Sequence, residues 1–187
     1  LKPVAGTATY YPEYAQLYGI GDPTKKRVVV YFIGSTAAKS SDPADKRFEN
    51  DMGLAEFAKL LKIVADKFKM LRVAQGSQAN PLQVTFNGTQ YTGTSSDFYK
   101  WIVSRSGFPT GVPSSEERAF RRAVHDNLLL KWVKLEVPLV VSSARSSKEM
   151  TLEFRLIYGT DSGWNVPGYF KEGFKNGDVV LYNGHSY

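Results

Sequence analysis

The sequence reads Val28-Val29-Val30-Tyr31-Phe32-Ile33 immediately before Gly34, an unbroken run of six apolar residues. Four of the six are β-branched, a residue type that packs well on the pleated surface of a sheet. Because the run offers no polar position to water, it predicts a strand that is buried on both faces. We expect this strand to lie in the core of the molecule.

Two amphipathic helices are predicted on either side of the middle of the chain. Asp42-Pro43 fits a helix cap followed by the first helical position, and the apolar spacing after it predicts a helix over roughly 45–70. Its apolar positions are Leu54, Phe57, Leu61, Val64, Phe68 and Leu71. Ser114-Ser115-Glu116-Glu117 has the pattern of a capping box and predicts the start of the second helix. Shorter helices are predicted at 96–103 and 167–175.

The remaining patterns predict strands. Asn87-Gly88, between two stretches of β-forming residues, favours the positive φ angles of a type I′ turn and predicts a β-hairpin. Alternating apolar and polar residues over 135–141 and 150–158 predict an antiparallel pair, in which Pro138 favours an edge position. A last strand is predicted at 178–182.

Together these elements predict an α+β fold: a mixed sheet with antiparallel hairpins and two amphipathic helices. An exposed connection at 104–113 separates an N-terminal α/β region, 1–103, from a C-terminal region, 114–187. The N-terminal region begins with a Tyr-rich segment, 1–26. The sequence leaves open whether the two regions are one domain.

Composition excludes several chemistries. The chain has 187 residues, a net charge of 24 − 18 = +6, two His and no Cys, so it has no disulfide or thiolate nucleophile of its own. We expect no cofactor and no metal site. No apolar run approaches the roughly 20 residues that a membrane-spanning helix needs. The absence of Cys and a surface rich in Tyr, Ser and Thr slightly favour a periplasmic or secreted location over the cytosol.

The chain ends with an apolar strand that runs into a histidine, Asp178-Val-Val-Leu-Tyr-Asn-Gly-His-Ser-Tyr187. This ending resembles caspase-like cysteine hydrolases of the gingipain and legumain type, in which a hydrophobic strand delivers the catalytic histidine. The resemblance implies the start of a caspase-like α/β sheet, with His185 as general acid/base and a peptide as substrate. It also implies that the nucleophilic Cys follows the next core strand, in the remainder of a longer polypeptide or in a second chain after Tyr187. This chain alone would then be catalytically incomplete.

The same residues allow a second hydrolase reading. Gly184-His185-Ser186-Tyr187 matches the first four positions of the Gly-x-Ser-x-Gly elbow, in which the serine is the nucleophile. On this reading Ser186 would be the catalytic nucleophile of a truncated serine hydrolase. Under either reading, Asp161 and Asp178 are the carboxylates nearest in sequence that could orient His185.

A third reading is a binding module without catalysis. Arg118, Arg121 and Arg122 fall at helical spacing, with Lys131 further along, and such a stripe could bind a polyanion. Nucleic acid is not the favoured ligand, because no nucleic-acid-binding motif accompanies the stripe. The Tyr-rich N-terminal segment could alternatively line a groove for a peptide or a glycan.

Overall fold

A computed structural model describes residues 26–35, 46–142, 147–159 and 166–184. In chain order the elements are β1 (Arg27–Gly34), α1 (Met52–Lys67), β2 (Arg72–Val73), β3 (Gln83–Phe86), β4 (Thr89–Thr92), α2 (Ser95–Tyr99), α3 (Glu117–Leu128), β5 (Val133–Ser142), β6 (Ser147–Gly159), α4 (Val166–Asn176) and β7 (Val179–Asn183). Short 3₁₀ turns at Lys46–Asn50 and Ser114–Glu116 precede α1 and α3, and a π-helical turn at Lys100–Ser104 continues α2.

A mixed five-stranded sheet organises the described part of the chain, in the order β2-β5-β6-β1-β7. β1 runs parallel to both of its neighbours, β6 and β7, whereas β5 pairs antiparallel with β6 and with β2. The β3–β4 hairpin forms a separate two-stranded sheet. The predicted α+β class is confirmed. Strands from both sides of the 104–113 connection belong to the large sheet.

β1 is the buried strand that its sequence predicts. Val28, Val30 and Phe32 face one side of the sheet, where α4 packs, and Tyr31 and Ile33 face the other, where α1 packs. The α1 side also contains α3, the hairpin and α2, and it holds the larger core. Because its two faces meet two different layers, an all-apolar sequence suits the whole strand.

The helix starts differ from the predicted ones. The α-helix predicted over 45–70 begins at Met52, where the Asp51 side chain accepts hydrogen bonds from the first turn, and it ends at Lys67. The predicted cap at 42–43 lies outside the described residues. The capping box predicted at 114–117 is wrong: the N-cap of α3 is Glu116, without a side-chain cap hydrogen bond. A 3₁₀ turn occupies that segment instead and satisfies backbone groups locally.

The strand predictions hold in detail. Asn87 and Gly88 adopt φ angles of 49° and 76°, as a type I′ turn requires. β5 and β6 form the predicted antiparallel pair. β2 pairs with β5 only through Arg72 and Val73, so Pro138 lies on a part of β5 that has no second neighbour among the described strands. The predicted last helix and strand are α4 and β7.

Candidate functional site

The carboxyl ends of β1, β6 and β7 meet at one edge of the sheet. The chain leaves β1 towards α1 on one face, whereas it leaves β6 towards α4 on the opposite face. Ligand sites of open α/β sheets lie outside the carboxyl ends of such strands. At this edge the last register partners of β1 and β6 are Gly34 and Gly159, and the Ser35 N–H donates to the Gly159 carbonyl at 2.6 Å.

The buried carboxylate of Asp51 lies at this edge of the sheet. Oδ1 of Asp51 accepts hydrogen bonds from the backbone N–H groups of Gly53, at 2.9 Å, and Leu54, at 3.4 Å. Its Oδ2 accepts from the Ser35 hydroxyl, at 2.6 Å, and from the Tyr158 hydroxyl. The cap of α1 therefore also ties together the ends of β1 and β6.

Close backbone packing accompanies this tie. A Cβ built on Gly53 would lie 2.0 Å from the carbonyl oxygen of Gly34, a distance that no side chain can tolerate. The first turn of α1 thus lies directly against the end of β1. This contact and the Asp51 hydrogen bonds fix the start of α1 against the ends of β1 and β6.

His125 of α3 reaches the same carboxylate from behind. Its side chain is fully buried, and Nε2 lies 3.8 Å from Oδ2 of Asp51, with no hydrogen-bond partner among the described residues. Nδ1 lies 2.8 Å from Oδ1 of Asp126, so this nitrogen donates to a carboxylate. His125 therefore lies between the buried Asp51 and the more exposed Asp126, and hydrogen-bonds only to the latter of the two.

Two of these groups have displaced pKa values. Burial, reinforced by the charge and hydrogen bond of Asp51, raises the pKa of the Tyr158 hydroxyl well above its ordinary value. Burial also pushes the pKa of Asp126 upward, but the hydrogen bond from His125 and the charge of Arg122 outweigh it and hold that pKa low. Tyr158 therefore stays a neutral donor and Asp126 stays ionised over the physiological range.

We call Ser35, Asp51, His125 and Tyr158 the carboxyl-edge cluster. Ser35 is its partly exposed member, while the other three are buried. Oγ of Ser35 lies 2.6 Å from Oδ2 of Asp51, to which its hydroxyl donates, and 3.1 Å from the hydroxyl oxygen of Tyr158. The cluster holds the ends of β1 and β6 and the start of α1 together.

Of the four residues predicted to be catalytic or to orient His185, the structure describes only Asp178. His185, Ser186 and Asp161 lie outside the described residues, while β7 itself ends at Asn183, beside Ile33 of β1. Asp178 lies at the amino end of β7, the end remote from Gly184. Its carboxylate accepts the backbone N–H of Val28 at 2.7 Å, and its own N–H donates to the Val28 carbonyl. This position favours a role for Asp178 in joining β7 to β1.

The predicted basic stripe surrounds an aromatic ring. Guanidinium carbons of Arg118, Arg121 and Arg122 lie 5.1–5.9 Å from the ring centroid of the buried Phe48. Arg118 pairs with Glu49, and Arg122 pairs with Asp126. Arg121 is only 5% exposed, and burial lowers its pKa. Much of the positive charge of the stripe is thus matched or buried.

Lys131 lies apart from these arginines, in a polar pocket beside α3. The Tyr-rich segment of the alternative binding reading lies outside the described residues.

Sequence reasoning did not single out the carboxyl-edge cluster. Asp51, two residues before Gly53, could have indicated a cap next to a close backbone approach. Tyr158 and His125 join the cluster through contacts across 107 and 74 positions of the chain, which no local pattern reveals.

Comparison with protein-family models, with curated proteins and with solved structures finds no match for this chain. Within the described residues, no helix is long and apolar enough to cross a bilayer. The same residues contain no group of three or more His, Cys, Asp or Glu side chains arranged to hold a metal ion.

Proposed function

We propose that this chain is the N-terminal part of a caspase-like cysteine hydrolase, in which His185 acts as general acid/base at the carboxyl edge of the sheet. The observation that carries the proposal is the direction of β7, which runs parallel to β1 and ends level with Ile33. Parallel strands end at the same edge, and ligand sites of such sheets lie outside it. His185 follows the last residue of β7 by only two positions, so the chain length that separates it from that edge is short.

The strand order supports a sheet that continues. The three parallel strands, β6-β1-β7, are the second, first and third in chain order, which matches the start of the doubly wound order 2-1-3-4-5. In that order a fourth parallel strand pairs with the third. The far edge of β7 has no partner among the described strands and is therefore the position that such a strand would take.

The exposure of β7 supports the same conclusion. Leu181 is 43% exposed and Tyr182 is 54% exposed, and successive residues of a strand face opposite sides of the sheet. Phe174 of α4 adds a third exposed apolar side chain on the Tyr182 side. A strand that is apolar on both faces is typical of the interior of a parallel sheet, not of its edge.

The proposed chemistry is acyl transfer to a cysteine. His185 would accept the proton of a Cys thiol that follows the fourth strand, and the thiolate would attack the carbonyl carbon of a peptide bond. The same imidazole would return the proton to the leaving amine, and water would then release the acyl group. Because this chain has no Cys, it is expected to be inactive without that strand.

The test uses the polypeptide encoded by the native reading frame, including whatever follows Tyr187. We expect a Cys at the end of the next predicted strand and hydrolysis of fluorescein-labelled denatured casein. His185→Ala should reduce the rate by about a hundredfold or more, because removal of a general acid/base typically costs this much. Ser186→Ala, the adjacent control, should retain most activity.

Circular dichroism of both variants checks that the fold is intact. A reading frame that stops at Tyr187, or that continues without such a Cys, overturns the proposal. Loss of activity in Ser186→Ala together with labelling of Ser186 by a fluorophosphonate probe would instead identify a serine hydrolase.

A further inference from the structure

A polar pocket lies between the β3–β4 hairpin and α3. Its volume is about 540 Å³, within the range of small-ligand sites. Four residues with carboxamide side chains line it, together with Asp126, Lys131, Thr85 and Ala123; the four are Asn80, Gln83, Gln90 and Asn127. No aromatic side chain is among the described residues that line it.

The two polar α3 side chains of the pocket, Asp126 and Asn127, are held in place by other residues of the protein. Asn127 donates through Nδ2 to the carbonyl oxygens of Asn80, at 3.1 Å, and Gln83, at 3.2 Å. Asp126 accepts from Nδ1 of the fully buried His125 and pairs with Arg122. Groups that are fixed before a ligand arrives lose little conformational freedom on binding.

The charges of the pocket favour a singly charged anion. Arg122 and His125 already accompany Asp126, whereas Lys131 forms no ion pair among the described residues. One unmatched ammonium group can pair with one carboxylate. A doubly charged phosphate suits the pocket poorly, because Lys131 supplies only one unmatched positive charge among the described lining residues.

The neutral groups favour an amide next to that anion. A carboxamide offers a donor and an acceptor side by side, which complements the N–H and C=O groups of a peptide main chain. Sugars commonly stack on aromatic faces, and this pocket has none among its described lining residues.

We propose that this pocket binds the C-terminal end of a peptide. Lys131 pairs with the terminal carboxylate. Gln90 Nε2 donates to Gln83 Oε1 at 3.4 Å, and the preceding main-chain amide hydrogen-bonds with the other carboxamide groups of the pair, Gln83 Nε2 and Gln90 Oε1. The proposal is independent of the hydrolase function, because none of its residues belongs to the C-terminal motif.

The test is an NMR titration of ¹⁵N-labelled protein with N-acetyl-dialanine, up to about 20 mM, a concentration suited to the weak affinity of such a small ligand. We expect saturable shifts at the backbone amides of Asp126, Asn127 and Lys131. The C-terminal amide of the same peptide should bind at least about tenfold more weakly, because it lacks the charged hydrogen bond to Lys131.

Lys131→Met should weaken the binding of N-acetyl-dialanine by a similar factor. Lys134→Met, which removes a nearby half-buried lysine outside the pocket lining, should leave the affinity unchanged. Gln90→Ala, on the exposed hairpin, provides a second variant that should weaken binding without disturbing the core.

Three results would overturn the proposal. The first is the absence of saturable shifts with N-acetyl-dialanine. The second is equal affinity for the free carboxylate and its amide. The third is tighter binding of inorganic phosphate or maltotriose, which would make the pocket a phosphate site or a sugar site.

Discussion

β6 and β7 flank β1 on opposite sides, in the same parallel direction, and with similar sequences. Leu156-Ile157-Tyr158 of β6 is buried, with exposed fractions of 4% or less, whereas Leu181 and Tyr182 of β7 are about half exposed. Register does not explain the contrast, since Tyr31 of β1 pairs with both Leu156 and Leu181. Two things differ: Leu156 and Tyr158 of β6 belong to the larger core, and β5 pairs with the outer edge of β6, whereas no described strand pairs with the outer edge of β7. β7 thus carries apolar side chains that the described part of the chain leaves exposed.

The largest expected difference between these strands comes from truncating their leucines. Leu156→Ala should lower the free energy of unfolding by about 2–5 kcal/mol, because it leaves a cavity in the larger core. Leu181→Ala should change it by no more than about 0.5 kcal/mol, since the side chain is partly in water. Urea unfolding of both variants measures the two values. Equal losses would show that β7 is covered in the isolated chain, and the contrast with β6 would disappear.

Removing the hydroxyl of the tyrosine near the end of β6 or of β7 should have an intermediate effect on stability. Tyr158→Phe should cost about 1–3 kcal/mol, because Asp51 loses a buried hydrogen-bond donor. Tyr182→Phe should cost less than about 0.5 kcal/mol, because the Tyr182 residue is 54% exposed. Thermal unfolding near neutral pH measures both.

The pH dependence separates the hydroxyl of Tyr158 from simple packing. Its pKa is higher in the folded chain than the ordinary value near 10, so its stabilisation is present below about pH 10 and is lost as pH rises further. Tyr158→Phe should therefore reduce the alkaline loss of stability. An unchanged alkaline slope in Tyr158→Phe would contradict this assignment.

The last prediction concerns Glu153 of β6 and its contribution to stability at different pH values. Glu153 is buried and accepts hydrogen bonds from Lys26, at 2.8 Å, and Arg155, at 2.6 Å. Burial pushes its pKa up, but Lys26 and Arg155 outweigh this and hold the pKa below its ordinary 4.5. The stabilisation is thus present above about pH 4.5 and is lost as pH falls through the lower folded-state pKa.

Glu153→Gln should lower the free energy of unfolding by about 1–2 kcal/mol near neutral pH, since its partners are partly exposed. Its stability should also fall less steeply on acidification. Urea unfolding near neutral pH and near pH 3 measures both, with the exposed Glu149→Gln on the same strand as control. Identical acid slopes for wild type and Glu153→Gln would show that another carboxylate governs acid unfolding.

Local patterns predicted the elements of this fold well and their boundaries less well. The apolar run of β1 and the Asn87-Gly88 turn act within a few residues, so sequence alone identifies them. The start of α1 depends on Asp51, whose partners Ser35 and Tyr158 come from two strands. Several Asp and Ser residues upstream could have served as caps equally well, and only the tertiary contacts select Asp51.

The candidate site was predictable only in part. The C-terminal motif directed attention to the strand that ends at the carboxyl edge, and β7 does end there. The direction and sheet position of β7 are not encoded locally, because they depend on where α4 crosses the sheet. The arginine spacing was read correctly as one helix face, but Glu49 and Phe48, which occupy that face, come from a distant turn.

The contact between Gly53 and Gly34 has a consequence for finding related proteins. Position 53 has no room for any side chain, while position 51 must both cap a helix and receive two hydroxyls. Substitution at either site should be tolerated far less than at the surrounding surface. A β-strand ending in Gly-Ser, followed by Asp-x-Gly at the start of a helix, is therefore a short search pattern. It could detect distant relatives whose sequences have diverged everywhere else.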